Sequence, residues 1–314
     1  MRAAVAQAAG PPDHLVEARC PSPTRVGSEV LVRVIAAGVN PVDAKTRAGR
    51  GVAAAAAWPL VPGYDFSGVV VESPYAAFPL QPGDEVFGMT AFPRTTGSYA
   101  EYVSVPALSV ARKPRILSHV EASAVPLAAL TAWGAVVDLA KAHEGQRILI
   151  HAGAGGVGHF AVQFAAYFGA SVAATASGAN GAWLRELGAS RVIDYTSERF
   201  EDAVADLDVV IDAVGGDTGR RSVGVLRPGG QLVSLPSAGW PEVAAEAAAA
   251  GVRGSGFWVT PDATTLSVIA RLLTSGDVRV RVDAVLPLAK AAEAHRLVEG
   301  GHVRGKVVLQ VSDY

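Results

Sequence analysis

The spacing of apolar positions changes character near residue 118. Before that point, apolar and polar residues alternate in short runs broken by Pro and Gly. Residues 29–37, 69–71, 85–87 and 97–105 read as strands, with one helical turn near 42–48. A mainly antiparallel, barrel-like domain fits this pattern. At Ser118-His119-Val120-Glu121 the spacing is that of a capping box, and an apolar helical run over 122–130 follows. Strands and helices then alternate. Strands are expected at 148–150, 171–175, 191–194, 207–213 and 230–235, and helices at 157–168, 182–187, 198–205 and 217–226. Such βαβ alternation predicts a doubly wound parallel sheet. An Ala/Gly-rich segment runs on to Gly256. After it come a helix at 265–275, a strand at 278–286, a helix at 288–300 and a closing strand at 305–311. The parallel sheet leaves no place for that tail, so it is expected to return to the first domain. The expected domains are 1–120 with 260–314, and 121–259.

One stretch carries chemistry in its local pattern. The apolar run Ile148-Leu149-Ile150 leads into Gly153-Ala154-Gly155-Gly156-Val157-Gly158, and an apolar helical run follows. Strand, G-x-G-x-x-G and helix in that order form the context in which the motif means dinucleotide binding. The glycines are expected to allow a tight turn, close approach of a pyrophosphate, and close packing of helix on strand. The helix N-terminus then faces the phosphates.

Composition narrows the remaining classes. The chain has 314 residues, half of them hydrophobic and 18% charged, which suits a large core and argues against disorder. A net charge of −2 gives no basic excess for nucleic acid or an anionic membrane. One cysteine, Cys20, excludes an intrachain disulfide and a cysteine-based structural zinc site. No apolar stretch has the length of a membrane span, and the N-terminus does not read as a signal peptide, so a cytoplasmic protein is expected.

Several further stretches carry a resemblance. They are Gly38-Val39-Asn40-Pro41-Val42-Asp43-Ala44-Lys45, the run from Val61-Pro62-Gly63-Tyr64-Asp65 to Val70, Gly83-Asp84-Glu85-Val86-Phe87-Gly88, Gly97-Ser98-Tyr99-Ala100-Glu101-Tyr102, and the run from Pro126 to Trp133. With the glycine loop, in this order and at this spacing, the chain resembles the medium-chain dehydrogenase/reductase superfamily. Within it, the likeness is to the zinc-independent quinone oxidoreductase and enone reductase branch. The resemblance implies a GroES-like β-rich catalytic domain interrupted by a Rossmann domain, with the active site in the cleft between them and a homodimer formed through the Rossmann sheet edge.

Departures from the zinc-dependent pattern decide the expected reaction. Zinc-dependent relatives carry a Cys shortly after the Gly-Val-Asn-like turn and a His in a Gly-His-Glu motif. Here the matching positions are Pro41 and Tyr64. With neither thiolate nor imidazole, no metal is expected. A reductase without a Lewis acid needs an acceptor already electrophilic toward hydride, such as a small uncharged enone or a quinone. Donors on the protein then meet the charge that develops on oxygen. The alternatives are a quinone reductase proper, working by electron transfer, and a non-catalytic NADPH-binding protein.

The resemblance implies roles for particular residues. Lys45 contacts the nicotinamide ribose or the substrate, or is a solvated surface lysine. Asn40 either donates to the substrate carbonyl or serves as the turn residue before Pro41. Asp43 orients Lys45 or caps a short helix, with the cap favoured. Tyr64 donates its phenol or, as the favoured alternative, fills the vacated metal pocket. Asp65 is a structural partner to a cation, and Lys306 either reaches the cofactor or is solvated. Around the cofactor, Thr131 lies near the nicotinamide amide. Gly153, Gly155, Gly156, Val157 and Gly158 hold the phosphates, and Tyr195 lies beside the adenosine phosphate. Val214 and Gly215 line the adenosine side or central ribose, and Leu235 and Ser237 follow the fifth strand. Phe257, Trp258 and Val259 touch nicotinamide or form a subunit interface. The end of the second Rossmann strand, Ala174-Thr175-Ala176-Ser177-Gly178-Ala179-Asn180, contains no acid, and Ser177 can donate to a 2′-phosphate. NADPH is therefore expected over NADH.

Overall fold

The computed structural model describes residues 1–93, 97–236 and 239–313. The chain divides into two compact units, Met1–Leu130 with Thr260–Tyr314, and Thr131–Val259.

The first unit is built around one long strand. Strands β1 (Arg2–Ala6) and β2 (Leu15–Arg19) pair antiparallel, a pair the alternation pattern did not announce. β3 (Glu29–Val39) is followed by α1 (Pro41–Arg47), β4 (Asp65–Glu72), β5 (Glu85–Met89), β6 (Tyr102–Pro106) and β7 (Val110–Arg112). β3 pairs antiparallel with both β4 and β6, for example Val34 with Gly68 and Val32 with Val103. Val30, Val32, Val34, Phe66, Val86, Val103 and Val105 are fully buried in one core cluster. Burial of that apolar area is the main favourable term, at about 25 cal/mol per Å². Of the strand expected at 97–105, only the part from Tyr102 belongs to β6. Tyr99 instead supplies a carbonyl to the amide of Ala4, and Ala100 bridges Ala3.

The helical run after Ser118 is two helices. α2 (His119–Ser123) starts on the capping box, with Glu121 N donating to Ser118 Oγ at 3.2 Å. α3 (Pro126–Trp133) begins at a proline, which lacks the N–H needed to continue the first helix. Residues 121–130 pack with the first unit rather than the second.

The second unit is a parallel sheet. Its strands are β8 (Arg147–Ile150), β9 (Ser171–Ala176), β10 (Arg191–Asp194), β11 (Leu207–Asp212), β12 (Leu226–Ser234) and β13 (Arg253–Gly256). They lie in the order β10-β9-β8-β11-β12-β13, all parallel where paired. The intervening helices are α4 (Gly158–Tyr167), α5 (Gly181–Glu186), α6 (Phe200–Ala203), α7 (Gly216–Ser222) and α8 (Val243–Ala249). The fifth strand starts at Leu226, four residues before the apolar pattern placed it. The Ala/Gly-rich segment holds α8 and a sixth strand. A Cβ on Gly254 would lie 2.5 Å from the carbonyl oxygen of Val243, so α8 packs on β13 only because that strand is side-chain-poor. The same feature removes the β-propensity that would have announced it.

The tail does return to the first unit. α9 (Ala263–Ser275) is capped by Asp262, whose carboxylate accepts from Thr264 N at 2.8 Å, and ends at Gly276 with φ 82°. β14 (Val282–Pro287), α10 (Ala291–Glu299) and β15 (Lys306–Gln310) follow. β15 pairs antiparallel with β3, Val307 opposite Val39, and β14 lies parallel beside β15. Residues 278–281 are not strand, although Val278 is buried.

Candidate functional site

In the first unit, the residues flagged around Asn40 and Asp65 form a buried polar network at the head of α1. Asn40 is 2% exposed, and its amide nitrogen donates to Asp65 Oδ2 at 2.8 Å. Its side-chain oxygen accepts from Lys306 Nζ. Lys306, the first residue of β15, is 3% exposed and also reaches Asp65 Oδ2 at 3.3 Å and the carbonyl of Val39 at 3.2 Å. The other Asp65 oxygen accepts from Leu127 N at 2.6 Å. Lys306 is therefore a buried cation rather than a solvated one, and Asp65 is its partner. Burial pushes the Asp65 carboxyl up from its usual range, while Lys306, Asn40 and Leu127 pull it back.

Asp43 continues the network. Its Oδ2 accepts from Asn40 N at 2.8 Å, closing the first turn of α1, which is the capping role. Tyr99 donates its hydroxyl to the same oxygen at 3.3 Å, and His295 of α10 lies 3.4 Å from that hydroxyl. Burial pushes Asp43 up to about 7 and, with Arg47 nearby, pushes His295 down to about 3. Arg47 is itself buried, donating to Gly10 O and paired with Glu299. Tyr99 and His295 carry no local signature of this contact: one precedes β6, the other lies on α10, and both are remote from α1 in the chain.

Asn40 and Tyr64 are both engaged within the first unit. The Asn40 side chain is tied at both polar ends inside the protein, which supports a scaffold role, and the bond to Asp65 uses one of its two amide N–H groups. Tyr64 is 1% exposed, donates its hydroxyl to Pro93 O at 2.8 Å and packs edge-on against Phe92 at 5.0 Å. Lys45, two positions after Asp43 on α1, is exposed.

The second unit holds the glycine loop between β8 and α4. None of its four glycines has a positive φ. The left-handed residue is Ala152, at φ 52°, and its amide donates to Thr175 Oγ1 at 3.2 Å. Gly153 donates to the carbonyl of Thr175 at 2.9 Å, and a Cβ there would lie 2.9 Å from the Cβ of Ala174. A Cβ on Gly158 would run into the carbonyl oxygen of Ala152. The first and last glycines thus serve close packing against β9 and the loop itself. Gly155, Gly156 and Val157 are partly exposed at the start of α4. Their bare backbone suits a pyrophosphate, so the loop fits a dinucleotide.

His151, just before the loop, was not singled out, although a polar residue ending an apolar strand is a readable signal. It is buried and bonded to Thr175 Oγ1 at 3.1 Å and Ser222 Oγ at 2.9 Å, and burial pushes it down to about 4.

The remaining cofactor candidates lie along the strand ends. Ser177 follows β9, and its Oγ accepts from Asn180 at 3.0 Å. Tyr195 follows β10 and is exposed. Val214 N and Gly215 N donate to Asp212 Oδ1 at 2.9 and 2.8 Å, which bends the chain after β11. Leu235 N donates to Asp212 O at 2.9 Å. Phe257 N donates to Ser234 O at 3.2 Å, and its ring fills the space over Gly134. Trp258 is exposed, Val259 is buried and Thr131 is buried on α3. Ser237 lies outside the described residues.

Comparison with known proteins agrees with this architecture. Residues 27–115 match the family model for the alcohol dehydrogenase GroES-like domain, and residues 187–309 match the zinc-binding dehydrogenase model. The chain is 40% identical over 290 residues to a 2-methylene-furan-3-one reductase of Solanum lycopersicum, covering 90% of this chain and 71% of that one. It is 38% identical over 290 residues to an NADPH-dependent alkenal/one oxidoreductase, chloroplastic, of Arabidopsis thaliana, covering 90% and 72%. Its fold matches the solved quinone oxidoreductase of Coxiella burnetii with a TM-score of 0.93 at 38% identity, over 99% of both chains.

Proposed function

This chain belongs to the medium-chain dehydrogenase/reductase superfamily, and on that premise we propose that it is an NADPH-dependent oxidoreductase delivering hydride to a conjugated acceptor, an α,β-unsaturated ketone or aldehyde or a quinone, without zinc. The observation that carries the zinc-free part is the state of the pocket around Asp65. Its carboxylate is already matched by the Lys306 ammonium, Asn40 is tied to both, and Tyr64 is committed to Pro93. Among the described residues, a metal there would meet a resident cation, and neither thiolate nor imidazole bonds to Asp65.

NADPH, when bound, supplies the hydride. The protein's part is to bind, orient and stabilise. The glycine loop receives the pyrophosphate, and Thr131 together with the segment Phe257, Trp258 and Val259 serves the nicotinamide end. Hydride addition at the β-carbon of an enone leaves negative charge on its oxygen. Lys45, the exposed cation on α1, donates to that oxygen or to the adjoining ribose. Asn40, Asp43 and Lys306 fix the first turn of α1 and so the base from which Lys45 reaches. A homodimer is part of the proposal, supported by β13, which ends the parallel sheet with one partner strand, and by the exposed Trp258 beyond it. Cytoplasmic residence is also part of it, supported by a chain whose single cysteine needs no oxidising compartment.

The test is NADPH oxidation with a panel of enones, alkenals, quinones and simple aldehydes, with and without a strong chelator. Turnover confined to conjugated acceptors and indifferent to the chelator is expected. Tight NADPH binding with no turnover on any acceptor would leave a non-catalytic binding protein, and loss of activity in chelator would overturn the zinc-free mechanism.

A further inference from the structure

Selection of NADPH needs more than the missing acid after β9, because the structure brings an acid there from the next strand. Asp194 ends β10 in register with Ala176 at the end of β9. A Cβ on Gly178 would lie 2.5 Å from Asp194 Oδ2, so the carboxylate sits directly against the loop that follows Ser177. Asp194 also accepts from Thr196 N at 3.0 Å and Thr196 Oγ1 at 2.7 Å, which hold it ionised, with a pKa below the usual carboxylate range. A 2′-phosphate entering this loop therefore meets one fixed negative charge. A 2′-hydroxyl would not be repelled, and without a compensating cation the loop would favour NADH.

The cation comes from one helical turn further on. Side chains on a helix lean toward its N-terminus, so a long residue covers the turn before its own Cα. Arg185 on α5 does this: its Nη1 lies 3.5 Å from where a Cβ on Gly181 would be. Beyond its own chain neighbours, the only side chain a Cβ on Gly178 would meet within 4 Å is that of Asp194, and for one on Gly181 it is that of Arg185. Arg185 is exposed and makes no ion pair among the described residues, unlike Arg191 and Arg199, which pair with Glu198 and Glu201. Ser177 spends only an acceptor site on Asn180, so its hydroxyl proton remains for a ligand oxygen.

We propose that the guanidinium of Arg185 is the group that holds the cofactor's 2′-phosphate, with Ser177 as hydroxyl donor, and that it sets the preference for NADPH over NADH against the opposing charge of Asp194. The proposal rests on the reading of the glycine loop as an NADPH site. Arg185 suits the task because a guanidinium meets phosphate through two parallel N–H donors, and it keeps its charge at any working pH.

The test needs no turnover. Equilibrium binding of adenosine 2′,5′-bisphosphate and of 5′-AMP is measured on the whole protein, its Arg185→Gln variant and its Arg185→Lys variant. The natural chain is expected to prefer the bisphosphate, and the preference should shrink with added salt. Arg185→Gln should weaken the bisphosphate about tenfold and leave AMP unchanged, while Arg185→Lys keeps part of the preference. An unchanged ratio in Arg185→Gln, with NADPH still bound by the natural chain, overturns the role of Arg185 alone. Failure of the natural chain to bind either nucleotide or NADPH overturns the reading of the loop beneath it.

Discussion

Lys306 and Asp65 meet 3.3 Å apart in the interior of the first unit, although 241 positions separate them in the chain. The first residue of the closing strand thereby neutralises the first residue of β4 and fixes the side chain of Asn40 between them. The contact ties the C-terminal tail to the turn that precedes α1.

Because both groups are buried, removing one leaves the other uncompensated. Lys306→Met should destabilise the fold by about 3–5 kcal/mol, whereas the double variant with Asp65→Asn should recover a good part of that loss. Urea unfolding of the single and double variants measures this. Simple additivity of the two single losses would mean that the pair is not coupled.

The same network predicts an unusual pH dependence. Asp43 has a folded pKa of about 7, against 3.8 ordinarily. Between those values the folded chain keeps a proton that the unfolded chain has released, so this group's contribution falls as pH rises, by up to about 1.4 kcal/mol per unit. His151 and His295 act in the opposite sense. Their folded values, about 4 and about 3, lie below the ordinary 6.5, so their contribution is complete above pH 6.5 and is lost as pH falls. Stability measured across this range should rise more steeply with pH in Asp43→Asn and less steeply in His295→Asn than in the natural chain. Curves parallel to the natural one would remove these groups from the account.

Lys45 is exposed, so its replacement should spare the fold and reach only the chemistry. Lys45→Ala is expected to lower kcat/KM for an enone about tenfold or more, with stability changed by less than about 0.5 kcal/mol. Steady-state kinetics beside a melting curve decides it, and unchanged kinetic constants would return Lys45 to the solvated surface.

At Gly158 the added methyl group of alanine collides with the Ala152 carbonyl, which belongs to the backbone and cannot step aside alone. Gly158→Ala should therefore shift the loop, cost about 1–3 kcal/mol and weaken NADPH binding at least tenfold. Gly224→Ala, where nothing lies within 4 Å of the new Cβ, serves as the control. Equal NADPH affinity in the two variants would show that the loop tolerates the methyl group.

Some of this was already present in the amino-acid order. The period of apolar positions separated an antiparallel unit from a βαβ unit, because each period reports locally which face a residue turns to the core. Gly153 to Gly158 marked a glycine loop between strand and helix, since a contiguous motif carries its own geometry. Asp43 as a cap was also readable, because a cap spans only three residues.

What stayed hidden depends on contacts between distant segments. The β13 strand had no signal because it is built of Arg253-Gly254-Ser255-Gly256, residues chosen for the closeness of α8 rather than for strand propensity. The sequence around β9 showed no acid in the loop that follows it, whereas parallel pairing of β10 with β9 sets Asp194 against Gly178. Lys306 reads as a surface charge until β15 docks on β3 and buries it with Asp65 and Asn40. Periodicity and motifs are local properties of the chain and determined the architecture and the place of the glycine loop. The charge environment of the site is a sum over neighbours in space, and only the tertiary structure decided which residues those are.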